Sequence, residues 1–119
     1  MPDTIMVVDD AQFTRTRVAK LLHENGYEVI EAGDGEKAVQ VYRSAHPDAV
    51  LMDITMPHKD GIAALTEIRA LDPEAKVIML TALSQQAMVL AAMKAGARDF
   101  LVKPYKPERL LRTLERVLN

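Results

Sequence analysis

Three aspartates follow short apolar runs, at the points where predicted strands end. Asp9 and Asp10 come directly after residues 5–8, and Asp53 comes directly after residues 49–52. Carboxylates that converge repel one another and raise one another's pKa values unless a cation compensates. Because the ligands are hard oxygens with no His or Cys beside them, Mg²⁺ is favoured over zinc or a softer metal. The three residues therefore predict a site for a divalent cation and a phosphoryl group.

Two more apolar runs end in a polar residue. Thr81 follows residues 77–80, and Lys103 follows residues 100–102. If all of these runs are parallel strands, their carboxyl ends meet at one edge of one sheet, where open α/β folds place their ligand crevice. We expect the threonine hydroxyl and the lysine ammonium to join the three carboxylates at that edge.

Strand-like runs alternate with segments of helical period along the whole chain, which predicts five consecutive strand–helix units. Residues 28–31 are mixed in polarity and residues 100–102 form a very short run. These two strands belong at the edges of the sheet, because a central parallel strand is buried on both faces. With right-handed crossovers, a flavodoxin-like α/β fold with strand order 2-1-3-4-5 and helices on both faces follows. Its switch point makes the three aspartates neighbours.

Length and composition narrow the possible functions. A chain of 119 residues fits one domain spanning residues 1–119. The net charge of -2 and the lack of a long basic run argue against binding to nucleic acid or to a membrane surface. Cysteine is absent, as suits a reducing compartment. No apolar stretch could span a bilayer and residues 1–3 lack signal-peptide features, so we expect a cytoplasmic protein. We also expect a monomer.

The polar residues at successive strand ends match a known pattern. The chain resembles, over its whole length, the receiver domain of bacterial two-component response regulators. Residues 9–15, 84–89 and 94–100 are most similar to the single-domain chemotaxis regulators of that family. The residues that carry the resemblance are Asp9-Asp10, Asp53 within residues 52–57, Gly61, Thr81-Ala82 and Lys103-Pro104.

The resemblance implies a phosphorylation chemistry. It makes Asp53 the acceptor of a phosphoryl group from a histidine kinase of the chemotaxis type, with Lys103 neutralising charge and Thr81 donating its hydroxyl to the phosphoryl oxygens. Such a protein catalyses only its own phosphorylation and slow dephosphorylation, so we do not expect an enzyme. Mg²⁺ is the implied cofactor, and Mn²⁺ can substitute. The implied metal ligands are Asp9, Asp10, Asp53 and the backbone carbonyl of Thr55.

The resemblance also implies a switch. Thr81 moves toward the phosphoryl group and Phe100 turns inward, although Phe stands here where the commonest pattern has Tyr. The residues two positions beyond Asp53 and Thr81, which are Thr55 and Leu83, are expected to control the access of water to the phosphoryl group. Both should be exposed positions.

The fourth predicted helix has an unusual composition. Eight of the nine residues 87–95 are apolar, and only Lys94 interrupts them. A helix packed on a sheet would leave Val89 or Met93 facing water, which predicts a partner surface unless Met93 folds into the core. The resemblance points to a flagellar motor switch protein or another output protein as the partner. The implied partner face comprises Val89, Phe100, Val102 and Lys106.

A phosphatase is a further expected partner. Phe13 lies off the apolar stripe of the first helix and near the acidic edge, so it is a candidate contact for the kinase or for a phosphatase.

Other interpretations of the same residues stay open. Taken alone, Asp9, Asp10, Asp53 or Thr81 could be a helix N-cap, and Lys103 could be an exposed charge. The chain could also be an excised receiver of a DNA-binding regulator or a phosphorelay intermediate, although its own initial Met argues against excision. A small aspartate-nucleophile phosphatase would use similar carboxylates. Nucleotide enzymes are disfavoured, because no phosphate-binding glycine motif is present.

Overall fold

Five short apolar runs form one parallel sheet. The computed structural model describes residues 2–119, and its strands pair in the order β2-β1-β3-β4-β5. This confirms the predicted fold and strand order. The central strands are almost wholly buried, whereas β2 and β5 are mixed, as their polarity predicted. The strands are β1 (Thr4–Val8), β2 (Glu28–Ala32), β3 (Ala49–Asp53), β4 (Val77–Ala82) and β5 (Asp99–Lys103).

Five α-helices connect and follow the strands. Asp34 and Asp60 cap α2 and α3, because each carboxylate accepts a hydrogen bond of 2.8 Å from the backbone of the helix's first turn. Gly26 and Gly96 follow α1 and α4 with positive φ angles of 89° and 107°, which favour glycine. The helices are α1 (Gln12–Glu24), α2 (Gly35–Ala45), α3 (Gly61–Leu71), α4 (Gln86–Lys94) and α5 (Pro107–Leu118), and a short 3₁₀ turn at Leu83–Gln85 precedes α4.

The sheet separates two apolar cores, because successive strand residues point to opposite faces. Met6 and Val8 of β1 belong to the core that contains residues of α2, α3 and α4, whereas Ile5 and Val7 belong to the core that contains residues of α1 and α5. Each large side chain that is fully buried contributes about 1.5–3 kcal/mol to stability. The two cores hold the sheet rigidly beneath its carboxyl edge.

A polar contact joins α2 to the end of α3. The Tyr42 hydroxyl donates a 2.6 Å hydrogen bond to the Asp72 carboxylate. This bond lowers the pKa of Asp72, while burial raises the pKa of Tyr42. Within residues 2–119, no helix is long and apolar enough to span a membrane.

Candidate functional site

The predicted carboxylates converge. One carboxylate oxygen from each of Asp9, Asp10 and Asp53 lies within 4.8 Å of the others. We call these three residues the carboxylate cluster. Asp9 is buried at 2% exposure and Asp53 is half-buried, whereas Asp10 is exposed. The cluster forms because β1 and β3 are neighbours and both end at this edge.

Lys103 supplies a positive charge from β5. Its ammonium nitrogen lies 3.1 Å from Asp53 Oδ1 and 3.8 Å from Asp9 Oδ2. The side chain reaches past the end of β4, which separates β5 from β3. Three carboxylates and one ammonium have a formal charge of -2, so the cluster with Lys103 matches a divalent cation in charge.

Burial dominates the electrostatics of Asp53 and raises the pKa of its carboxyl. Lys103 opposes that rise, and the Asp9 and Asp10 carboxylates add to it. Tyr105 was not predicted from the sequence, but burial and the nearby Asp9 and Asp53 raise the pKa of its hydroxyl. A partly buried acidic cluster with only oxygen donors fits Mg²⁺, which would stabilise the ionised carboxylates.

The backbone at this edge is closely packed. Three hydrogen bonds hold Asp9 in place. Its carboxylate accepts a 2.8 Å bond from the Ala11 N–H, its backbone carbonyl accepts a 2.7 Å bond from the Arg15 guanidinium, and its N–H donates a 3.2 Å bond to the Ala32 carbonyl. At Gly61 a Cβ atom would lie 2.1 Å from the backbone oxygen of Asp53. Only glycine therefore allows α3 to begin this close to Asp53, which is a physical reason for Gly61, one of the residues that carry the family resemblance.

The N-cap interpretation of the cluster is wrong. The five α-helices have their N-caps at Ala11, Asp34, Asp60, Gln85 and Lys106. Asp9, Asp10, Asp53 and Thr81 are thus free of a capping role and are available to the site.

Gln85 joins two of the predicted site residues and was missed by the sequence analysis. Its side-chain oxygen accepts bonds from the Ala82 N–H at 2.8 Å and from the Thr81 hydroxyl at 3.2 Å. Its side-chain nitrogen donates to the Thr55 hydroxyl. We call this arrangement of Gln85, Thr55, Thr81 and Ala82 the Gln85 clamp. A helix of one turn is too short to show a periodic pattern in the sequence, so no signal could have identified Gln85 as a site residue.

Thr55 and Leu83, the two residues predicted to control the access of water to the phosphoryl group, are exposed, as expected. We call them the gate residues. Thr55 lies just beyond β3, and Leu83 is 68% exposed in the 3₁₀ turn. Both are thus near the sheet edge and open to solvent.

The predicted partner face is partly apolar and partly buried. Met93 is 38% exposed, as the sequence allowed, but Val89 is half-buried and packs against the core. Leu90 was not predicted, yet at 60% exposure it is the most exposed large apolar side chain of α4. The residue that α4 buries is the small Ala92. The other members of the face are Phe100, which is 37% exposed, half-buried Val102 and exposed Lys106.

Phe13 lies at the start of α1 and is 74% exposed. The Arg17 guanidinium carbon lies 5.7 Å from the centre of its ring, within the range of a cation–π contact. A large exposed aromatic ring beside the acidic edge remains a candidate contact for a protein partner.

Comparison with known proteins agrees with the geometry of the edge. The family model for the response regulator receiver domain matches residues 5–115. The chain belongs to this family. Its membership makes the chain a signal-transduction domain, and it argues against the aspartate-nucleophile phosphatase class that the sequence left open.

Relatives of this receiver domain include chemotaxis proteins. The chain is 48% identical over 120 residues to chemotaxis protein CheY of Bacillus subtilis (strain 168), with 100% of each chain covered. It is 48% identical over 118 residues to CheY of Thermotoga maritima, with 98% of each covered. A solved structure of the CheX-CheY-BeF3-Mg+2 complex from Borrelia burgdorferi is similar at 35% identity and a TM-score of 0.94, covering 100% of this chain and 91% of that chain.

Proposed function

We propose that this receiver domain accepts a phosphoryl group on Asp53 from a phosphohistidine of a sensor or chemotaxis kinase. The observation that carries the proposal is the contact of 3.1 Å between Lys103 and Asp53 inside the carboxylate cluster. A half-buried carboxylate beside an ammonium and two further carboxylates is suited to nucleophilic attack on a group held by a cation.

In the transfer step, an Asp53 oxygen forms a bond to phosphorus while the bond from phosphorus to the kinase imidazole breaks. The imidazole keeps the electron pair, and Asp53 becomes an acyl phosphate. Lys103 stabilises the charge on the transferring group. Mg²⁺, or Mn²⁺ in its place, would be held by Asp9, Asp10, Asp53 and the Thr55 backbone carbonyl, and when bound it supplies further neutralisation of that charge.

The acyl phosphate ends by hydrolysis. A water oxygen bonds to phosphorus, the bond between phosphorus and Asp53 breaks, and the products are inorganic phosphate and the free carboxylate. Water must approach from the side opposite Asp53, so Thr55 and Leu83 act as the gate in this proposal. Leu83 is 68% exposed in the turn that follows β4, and its apolar side chain is proposed to shield the phosphoryl group.

Phosphorylation of the domain is proposed to change its affinity for a partner protein. The phosphoryl group carries about 1.5–2 negative charges and replaces the single charge of the Asp53 carboxylate. The Thr81 hydroxyl then moves toward the phosphoryl oxygens, and Phe100 turns inward from its exposed position. The partner face of Val89, Phe100, Val102 and Lys106 is proposed to bind a flagellar motor switch protein or another output protein. The names of the CheY relatives support chemotaxis, and the CheX-CheY complex supports a phosphatase partner.

The extent, oligomeric state and cellular location of the domain are also part of the proposal. The domain is proposed to work as a single unit over residues 1–119, as a monomer in the cytoplasm, where a chemotaxis kinase would phosphorylate it.

Labelling with acetyl phosphate and Mg²⁺ tests the proposal. Mass spectrometry should place one phosphoryl group on Asp53. The Asp53→Asn variant keeps the shape of the side chain but should not be labelled, whereas Thr81→Ala should still be labelled because it retains the nucleophile. A phosphoryl group on Ser84 or His58 would refute the mechanism.

A further inference from the structure

The Gln85 clamp links the two segments of chain that flank the mouth of the site. Thr55 belongs to the connection after β3, whereas Thr81 and Ala82 end β4. The Gln85 side chain bonds to all three residues, through its oxygen to Ala82 and Thr81 and through its nitrogen to Thr55. It is therefore a side-chain bridge between the β3 and β4 ends of the sheet edge.

The orientation of the Gln85 amide follows from its partners. The Ala82 N–H can only donate, so the group that faces it must be the amide oxygen. The amide nitrogen then faces Thr55 and donates to its hydroxyl oxygen. Thr81 has one hydroxyl proton, which it can give either to Gln85 or, at 3.1 Å, to the Ala82 carbonyl. Within residues 2–119, no hydrogen bond joins the Thr81 hydroxyl to Asp53 or Lys103.

From this geometry we propose that Gln85 is a positioning residue that holds Thr81 in its resting orientation and keeps the gate closed. The inference rests on the proposed function and adds a residue to it. For Thr81 to donate to a phosphoryl oxygen, its hydroxyl must leave the clamp. The competing hydrogen bond has the strength of one ordinary bond, which biases the resting orientation of Thr81 by roughly three- to tenfold.

The clamp also restrains both gate residues. Gln85 bonds directly to Thr55, and Leu83 belongs to the same one-turn helix as Gln85. The amide oxygen of Gln85 is held by Ala82 and its nitrogen is held by Thr55. These bonds therefore restrain the turn that carries Leu83, and with it the side chain that shields the site. Loss of the clamp frees the turn and lets water reach the phosphorus, where it displaces the Asp53 carboxylate and yields inorganic phosphate.

The first test measures the decay of the acyl phosphate after acetyl phosphate is removed. Gln85→Ala should shorten its lifetime about three- to tenfold, as expected for the loss of one hydrogen-bonded restraint. Gln86→Ala is the matched control, because Gln86 is the next residue, is exposed and makes no side-chain hydrogen bond within residues 2–119. It should decay like the parent. Thermal unfolding of each variant checks that the fold is retained.

A double-variant cycle tests whether the bond between Gln85 and Thr55 is the restraint. Thr55→Val keeps the backbone carbonyl and the shape of the side chain but removes the acceptor. If the clamp acts through this bond, adding Thr55→Val to Gln85→Ala should shorten the lifetime no further. Fully multiplicative effects of the two changes would overturn this part of the inference.

A second measurement needs no phosphorylation. The side-chain couplings of Thr81, read by NMR in the unmodified protein, should show one dominant rotamer in the parent and in Gln86→Ala but averaging in Gln85→Ala. Unchanged Thr81 couplings and equal lifetimes in all variants would overturn the clamp while leaving phosphorylation of Asp53 intact. A parent protein that takes up no label would instead contradict the proposed function, and the couplings would still decide the role of Gln85.

Discussion

Replacing Asp10 by Asn should change stability in opposite directions without and with Mg²⁺. The substitution removes one charge from the carboxylate cluster and preserves the shape of the side chain. With Lys103 the cluster has a formal charge of -2, which becomes -1 in the variant. The variant should therefore be more stable than the parent when no cation is present and less stable when Mg²⁺ is abundant.

The geometry of the cluster gives the size of both effects. Two carboxylate charges 4.8 Å apart, the upper limit found in the cluster, repel by about 3.5 kcal/mol at an effective dielectric constant of about 20. Because Asp10 is exposed, solvent screening reduces the gain on its removal to about 1 kcal/mol. A hundredfold excess of Mg²⁺ over its dissociation constant stabilises the parent by about 2.7 kcal/mol. For a domain of this size, about 1 kcal/mol shifts Tm by roughly 3–5 °C, so the parent should gain roughly 8–13 °C.

Thermal unfolding followed by circular dichroism, in chelator and across a Mg²⁺ titration at constant ionic strength, measures the effect. Asp3→Asn is the matched control, because Asp3 is an exposed carboxylate at the opposite end of β1. It should respond to Mg²⁺ like the parent. If Asp10→Asn and Asp3→Asn gain the same stability from Mg²⁺, the carboxylate cluster is not the metal site.

Three further substitutions test separate parts of the molecule. Beryllofluoride, which mimics the phosphoryl group, should tighten binding of a motor switch peptide, and Phe100→Ala should reduce that gain in a fluorescence anisotropy titration; an undiminished gain would contradict the switch. Leu83→Glu should change the acyl-phosphate lifetime several-fold with little effect on Tm, because Leu83 is exposed, and an unaltered lifetime would exclude it as a gate. The pKa of Asp72 is lowered by Tyr42 in the folded state, so this contribution to stability is present above the unfolded-state pKa and is lost as the pH falls through the folded-state pKa. Tyr42→Phe should therefore cost about 1 kcal/mol at neutral pH and flatten the acid side of the curve of unfolding free energy against pH; a parallel shift of the whole curve would refute this origin.

Much of the fold and the centre of the site could be predicted from the sequence. Continuous apolar runs identify strands that are buried on both faces. Their burial places β2 and β5 at the edges, and right-handed crossovers then give the order of the five strands. The carboxylate cluster and its contact with Lys103 follow from that order, because parallel strands bring their carboxyl ends to one edge. Backbone topology therefore brings these residues to one edge, and the long side chain of Lys103 reaches Asp53 past the end of β4.

The rest of the site depends on features that have no periodic signal. Gln85 finds its partners because of the path of a three-residue turn, which no local pattern specifies. Only part of the exposed face of α4 could be predicted. Met93 was a candidate, but Leu90 was not, because eight apolar residues among nine give no contrast between the faces of the helix. In the structure, the small Ala92 is the residue of α4 that is buried, and Leu90 is exposed to solvent.

The shallow attachment of α4 has a consequence for how a signal could spread. Ala92 is the one residue of this helix that is fully buried, whereas α2 and α3 each bury four. Burying this methyl group and part of the Val89 side chain contributes only about 1–2 kcal/mol, against a global stability of about 5–15 kcal/mol for an ordinary domain. Local opening of α4 therefore lies at the low end of the free-energy scale that amide hydrogen exchange resolves. A chemical change at the sheet edge can move this helix at an energy that leaves the five strands intact.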